Sequence, residues 1–180
     1  MKTYLLHGIA LAVVNFLFTL VLFIFGLHSD PAKIGLAGGI GSIGGLIIMS
    51  VIIALGMKAA RAKSPASEPF TYGNAFGAGA WITVVASLLA LVTHSLYIRV
   101  IDPQFTEILI QAKLNRLEAR GITGDQYDRA EKIIRASSGP FWQTIAVCIG
   151  CAILGLIISL IVAAFFRREA APPTLESSAA

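Results

Sequence analysis

Residues 34–57 read IGLAGGIGSIGGLIIMSVIIALGM. The stretch has no charge and is longer than the roughly 20 apolar residues that span a bilayer. Glycine crowds its first half, at Gly35, Gly38, Gly39, Gly41, Gly44 and Gly45. In water each would weaken a helix by about 0.8–1 kcal/mol relative to alanine. In lipid the backbone must satisfy its own hydrogen bonds, so the segment stays helical. Lipid gives no hydrophobic drive between helices, and small residues let them approach and pack. Gly35/Gly39 and Gly41/Gly45 form small-xxx-small pairs, which predicts a helix-packing seam. Gly56, beyond the cluster, is expected to sit more loosely.

The rest of the chain fits a membrane protein. Of 180 residues, 56% are hydrophobic and 13% charged, about half the charge of a soluble domain. A net charge of +4 with basic residues at span ends suits lipid headgroups and argues against a nucleic-acid partner. One domain is the expected count over residues 1–169.

Upstream, residues 4–27 form a first span. The run is too long for a signal-peptide core and lacks an A-x-A cleavage pattern. Asp30-Pro31 reads as an N-cap with proline at N1, starting the second span over 34–57. Lys58, Arg61 and Lys63 then lead into a proline-punctuated loop. Residues 74–100 form the third span, whose start supplies another small pair, Gly73/Gly77. Residues 141–166 form the fourth, between Trp142 and Arg167-Arg168.

Between the last two spans, residues 102–139 are expected to form an extramembrane helical hairpin. Asp102-Pro103 repeats the N-cap signal and Gly121 reads as a C′ glycine. Thr123-Gly124-Asp125-Gln126 fits a capping box. Phe105, Ile108, Leu109 and Ala112 make one apolar stripe, and Ile110, Leu114 and Leu117 a second. The pattern leaves open whether the hairpin packs on itself or on the headgroups. Residues 170–180 have the composition of a disordered tail. The fold class is therefore all-α, polytopic, with four transmembrane helices.

Lysine and arginine set orientation. Lys2, the Lys58/Arg61/Lys63 cluster and Arg167/Arg168 fall on one side. Lys33 and the long loop, with seven basic residues and six acids from Arg99 to Arg135, fall on the other. The dense cluster is given the greater weight, which places both termini in the cytoplasm.

The segments TYGNAFGAGAWITVVASLLALV and IDPQF, the amphipathic stretch after them, and the closing GLIISLIVAAFFRRE together resemble a bacterial four-span membrane family, domain of unknown function 4199. The resemblance covers nearly the whole chain. Its most specific part is Tyr72-Gly73-Asn74-Ala75-Phe76 with Gly79; many members carry lysine where this chain has Asn74. The resemblance implies a bacterial inner-membrane location and supplies no catalytic residues.

Gly39-Ile40-Gly41-Ser42-Ile43-Gly44 matches G-x-G-x-x-G, but no strand precedes it and no acid follows at the required distance. Cys148-Ile149-Gly150-Cys151 is C-x-x-C inside an apolar helix, where lipid disfavours a thiolate; packing is the stronger reading. Asn15 and His94 are the candidate polar intramembrane residues. Asn15 is expected to bond between helices, and His94 to be a neutral imidazole bonded to a serine or asparagine. No Asp, Glu, Lys or Arg falls at mid-span, which argues against an ion-coupled transporter. No catalytic, cofactor-binding or metal residues are assigned, and an enzyme is not expected. The leading expectation is a structural or accessory protein acting through contacts. Its partners would be the lipid bilayer and either a second copy of the chain or another membrane protein. The alternative is a small oligomeric channel or transporter.

Overall fold

The computed structural model describes residues 2–65 and 67–168. The tail assigned to 170–180 lies outside the described residues. Six helices follow in order: α1 Lys2–Ile24, α2 Ile34–Lys63, α3 Tyr72–Leu96, α4 Phe105–Glu118, α5 Asp125–Ser137 and α6 Pro140–Phe166. One π-helical turn, Tyr97–Ile101, continues α3. Helices α1, α2, α3 with its π turn, and α6 are long and apolar enough to cross a membrane. The protein is an all-helical, multi-pass membrane protein.

Helix α3 is the centre of the bundle, packed most extensively on α6 and α1, while α2 packs on α1, α6 and α3. The core is buried where these helices meet, around Ile53, Met57, Ala75, Ile82 and Ala163. Leu5, Leu6, Ile43, Leu88, Val92 and Ile161 point outward. An apolar exterior is what hydrocarbon solvates and water does not, so the exposed leucines and isoleucines agree with a lipid-embedded bundle.

Several boundaries differ from those read in the sequence. The first span was expected at 4–27, but α1 ends at Ile24 because Gly26 takes φ +68. Its N–H reaches the Phe23 carbonyl (2.8 Å) and the Leu27 N–H reaches Leu22 (3.1 Å), closing a Schellman motif. Gly121 ends α4 with the same pair of bonds, to Glu118 and Leu117. Helix α2 runs past residue 57 to Lys63, since nothing breaks it before Ser64-Pro65.

Neither Asp-Pro pair caps its helix as expected. The Asp30 carboxylate accepts from the Ala32 N–H (2.9 Å), folding a turn, and α2 begins only at Ile34. Asp102 also precedes its helix, and its carboxylate is taken by Tyr97. The capping box fails too, because α5 starts one residue late, with Gly124 as N-cap and no side-chain cap. A cap that the sequence reading missed is Thr71, whose hydroxyl accepts from the Asn74 N–H (3.2 Å) and starts α3.

The hairpin packs on itself and on the bundle. Arg135 pairs with Glu107 (3.1 Å) across α4 and α5, and Lys113 Nζ donates to Ser138 Oγ (2.7 Å). Ile110, Ala112 and Leu114 of α4 are buried, whereas α5 buries no residue completely. At the opposite end of the bundle, Arg168 Nη2 donates to the Ser64, Pro65 and Glu68 carbonyls, and Phe70 and Arg168 exchange two backbone bonds.

Candidate functional site

The glycines nominated by spacing do not all make the close approaches. A Cβ added at Gly41 would touch Leu22 Cδ1 (3.6 Å), and one at Gly45 would touch Asn15 Oδ1 (3.4 Å), so both face α1. Gly35 faces only the Arg116 guanidinium of α4 (2.9 Å). Gly39 and Gly77 face open space, and Gly73 meets only the nearby Thr71 hydroxyl (3.7 Å). The tight positions are Gly8 against Val85, Gly44 against Phe18, Gly56 against Ile82 and His7, Gly79 against Met57 and Ser159, and Gly155 against Thr83. Gly56 is thus among the tightest, contrary to the looseness expected of it.

Helix geometry explains the difference. At 3.6 residues per turn, two residues apart means about 160° apart around the axis. Gly39 and Gly41 therefore point to nearly opposite sides, as do Gly77 and Gly79. The small-xxx-small pattern marks a glycine face without saying which face meets another helix.

Part of the α2 glycine face leaves room. Gly38, Gly41 and Gly45 line a cavity of about 530 Å³ between the spans, closed toward the hairpin by Phe105 and Leu109 of α4. Its walls are mainly apolar: Leu11, Phe16 and Leu22 from α1, Leu46 and Met49 from α2, and Val147 and Leu154 from α6. Both polar residues singled out in the sequence, Asn15 and His94, lie on this wall.

Neither does what was expected of it. Asn15 Nδ2 donates to the Leu11 carbonyl of its own helix (3.2 Å). The amide folds back because an unmet donor in lipid is costly and the carbonyl one turn away is always available. His94 Nε2 is sealed from solvent and has no hydrogen-bond partner. Two hydroxyls on the same wall bond within their own helices, Thr93 Oγ1 to the Leu89 carbonyl (3.2 Å) and Thr19 Oγ1 to the Asn15 carbonyl (3.0 Å).

One cluster escaped the sequence reading altogether. At the hairpin end of the cavity, His28, Tyr97 and Asp102 are all buried. The Tyr97 phenol donates to Asp102 Oδ2 (3.2 Å), and His28 Nδ1 hydrogen-bonds to the same phenol oxygen. A phenol has one proton, so with that proton on Asp102 the imidazole is the donor. Phe105 meets both rings, tilted against His28 at 5.0 Å and edge-on to Tyr97 at 5.4 Å between centroids, and Phe23 meets Tyr97 edge-on at 6.1 Å. Burial holds the His28 pKa below its ordinary value of 6.5, with the Asp102 charge acting in opposition. π-Helical turns often occur at functional sites. A histidine in a connection, a tyrosine at a helix end and an aspartate before a proline give no joint signal in a linear sequence.

Cys148 and Cys151 are free and half-buried, with Cys151 packed against the core. Among the described residues, no group of three or more His, Cys, Asp or Glu side chains could hold a metal ion.

No curated protein and no solved structure matches the chain. A family model described as protein of unknown function (DUF4199) matches residues 6–168. That match takes in all four spans and the hairpin, and the chain belongs to this family.

Proposed function

We propose that this chain is an accessory protein of the bacterial inner membrane, acting through helix and protein contacts rather than by catalysis. Both termini and the Lys58–Lys63 end of the bundle face the cytoplasm, and the hairpin lies outside. The observation that carries the reading is the way α5 is mounted. Its inner side is tied down by Arg135 to Glu107 and by Lys113 to Ser138 just beyond its end. Gln143 adds bonds to the Thr106 hydroxyl (3.2 Å) and the Ser138 carbonyl (2.6 Å). Its outer side carries Asp125, Asp128, Arg129 and Lys132, all exposed. A fixed helix with a free mixed-charge face suits recognition, because complementary charge directs partner choice more than it adds affinity.

Photo-crosslinking residues at Asp128 and Lys132, activated in growing cells, test this. A discrete crosslinked protein at either position, absent when the crosslinker is placed on lipid-facing Leu88, is the expected outcome. Crosslinks to lipid alone, together with a conductance from the purified protein in liposomes, would favour the channel or transporter instead.

A further inference from the structure

We infer that α5 lies at the bilayer surface, with the flank that carries Ile133 seated in the boundary between phospholipid headgroups and acyl chains, beside the start of α6. Ile133, Ala136 and Ser137 of α5 border one shallow groove with Trp142 and Ala146 of α6. Its large side chains are uncovered: Ile133 is 68% exposed and Trp142 57%. Phe141, which meets the Trp142 ring edge-on, is 63% exposed. Single apolar side chains on a surface need no explanation, but a cluster of large ones marks a place that something other than water covers.

The position of the groove names the cover. Helix α6 has 27 residues, so it is about 40 Å long against a hydrocarbon core of about 30 Å. Its ends therefore stand in the headgroup layers, where Trp142 has the place of an interfacial aromatic. Beyond Trp142, the residues Ala146, Ile149, Ile153 and Leu160 are all exposed. Their spacing of three, four and seven residues keeps them on one face of the helix. This face is part of the lipid-facing surface of the bundle, and the groove is its hairpin end. Ala146 is one turn deeper than Trp142 and still borders α5. Helix α5 thus runs back alongside the first turns of α6 instead of out into water.

The chemistry of α5 fits that boundary. The helix buries no residue completely within the protein, so its apolar flank is left for lipid to cover. Arg129, exposed and one turn before Ile133, stands on the border between this flank and the outer charged face. Its long stem lets the guanidinium reach headgroup phosphates. Asp128 lies about 140° round the helix from Ile133 and faces away. An interfacial helix has this division, with an apolar side in the boundary and charge toward water. The flank is distinct from the face that carries Asp125 and Asp128, so this inference does not depend on a protein partner.

The test uses the full chain in nanodiscs of mixed zwitterionic and anionic phospholipid. Cys148 and Cys151 are changed to alanine, and one spin label is placed at Ile133→Cys or at Asp128→Cys. Collision with oxygen, which concentrates in lipid, is compared with collision with a water-soluble nickel chelate. The oxygen-to-nickel ratio should be several-fold higher at Ile133→Cys than at Asp128→Cys. Equal ratios mean that Ile133 meets water, and overturn the proposal. So does weak collision with both reagents at Ile133→Cys, which means that protein, such as a second copy of the chain, covers the groove. In the unlabelled chain, Ile133→Asp should speed hydrogen exchange in α5 about tenfold, the scale of one large apolar side chain losing its apolar surroundings. Exchange in α1, α2 and α3 should not change, and Ile133→Leu should keep the parent rate. An α5 whose exchange ignores Ile133→Asp overturns the proposal as well.

Discussion

Tyr97 and Asp102 clasp a single π-helical turn from both sides: the Asp102 N–H donates to the Tyr97 carbonyl at 2.8 Å, and the Tyr97 phenol donates to the Asp102 carboxylate at 3.2 Å. Backbone and side chain thus close the same loop in opposite directions. The turn is where the third span leaves the bundle for the hairpin, so its geometry sets the angle of everything up to α6.

Tyr97→Phe keeps the ring contacts with Phe23 and Phe105 and removes only the hydroxyl. Asp102 and His28 then remain buried with a partner missing, a loss of about 1–3 kcal/mol. Thermal unfolding in detergent should show this, and the variant should also show faster hydrogen exchange in α4 than the parent protein.

Acid should weaken the same junction through His28. Burial lowers its pKa in the folded protein below the ordinary 6.5, so the folded state favours the neutral ring. The sign follows by linkage: this contribution is complete above pH 6.5 and is lost as pH falls through the lowered value. Stability followed from pH 7.5 to 5 should therefore decline below about 6.5, and His28→Gln should flatten that part of the profile. A decline of equal size in His28→Gln would assign it to another group.

Glycine substitutions should separate by face. Gly155→Val must displace Thr83, and Gly79→Val must displace Met57 and Ser159. Overpacking of this kind costs about 1–3 kcal/mol. Gly56→Leu belongs with them, against Ile82. Gly39→Leu and Gly77→Leu enter open space in the single chain and should leave its stability within about 0.5 kcal/mol. Thermal survival in detergent measures the first group. Oligomer size, read by light scattering, shows whether Gly39 or Gly77 meets a second copy.

Topology is open to direct labelling. Ser67, in the α2–α3 loop, and Asp128, on α5, are both exposed. Each is replaced by cysteine after Cys148 and Cys151 have been changed to alanine. An impermeant thiol reagent applied to cells with permeabilised outer membranes should modify Asp128→Cys and spare Ser67→Cys. The reverse pattern would invert the orientation.

The four spans were legible because length and apolarity are properties of a continuous stretch, and Gly121 ends α4 by local chemistry alone, whereas Gly26, which ends α1 in the same way, was read through. The caps were less so. Asp30 and Asp102 carry the right side chain for an N-cap, but each carboxylate has a competing partner, the Ala32 amide and the Tyr97 phenol. The candidate site was legible only in its parts. His94 and Asn15 stood out as polar groups in apolar runs, while His28 lies 69 positions from Tyr97 and looked like a loop residue. A cavity is harder still to read, since it consists of side chains that are missing from one face. Gly38 and Gly39 are neighbours in sequence, yet only Gly38 lines it.

The clamp formed by Arg168 has a consequence for biogenesis. Its three acceptor carbonyls belong to residues 64–68, made a hundred positions earlier. Thr83 and Gly79 likewise wait for Gly155 and Ser159. A nascent chain with three spans inserted therefore holds an unfinished groove along α3 and an untethered loop. Helix α6 both fills the groove and fastens the loop, so the domain is completed only once α6 has been made. A ribosome stalled before α6 would leave a three-span intermediate whose exposed α3 face is a natural target for membrane quality control.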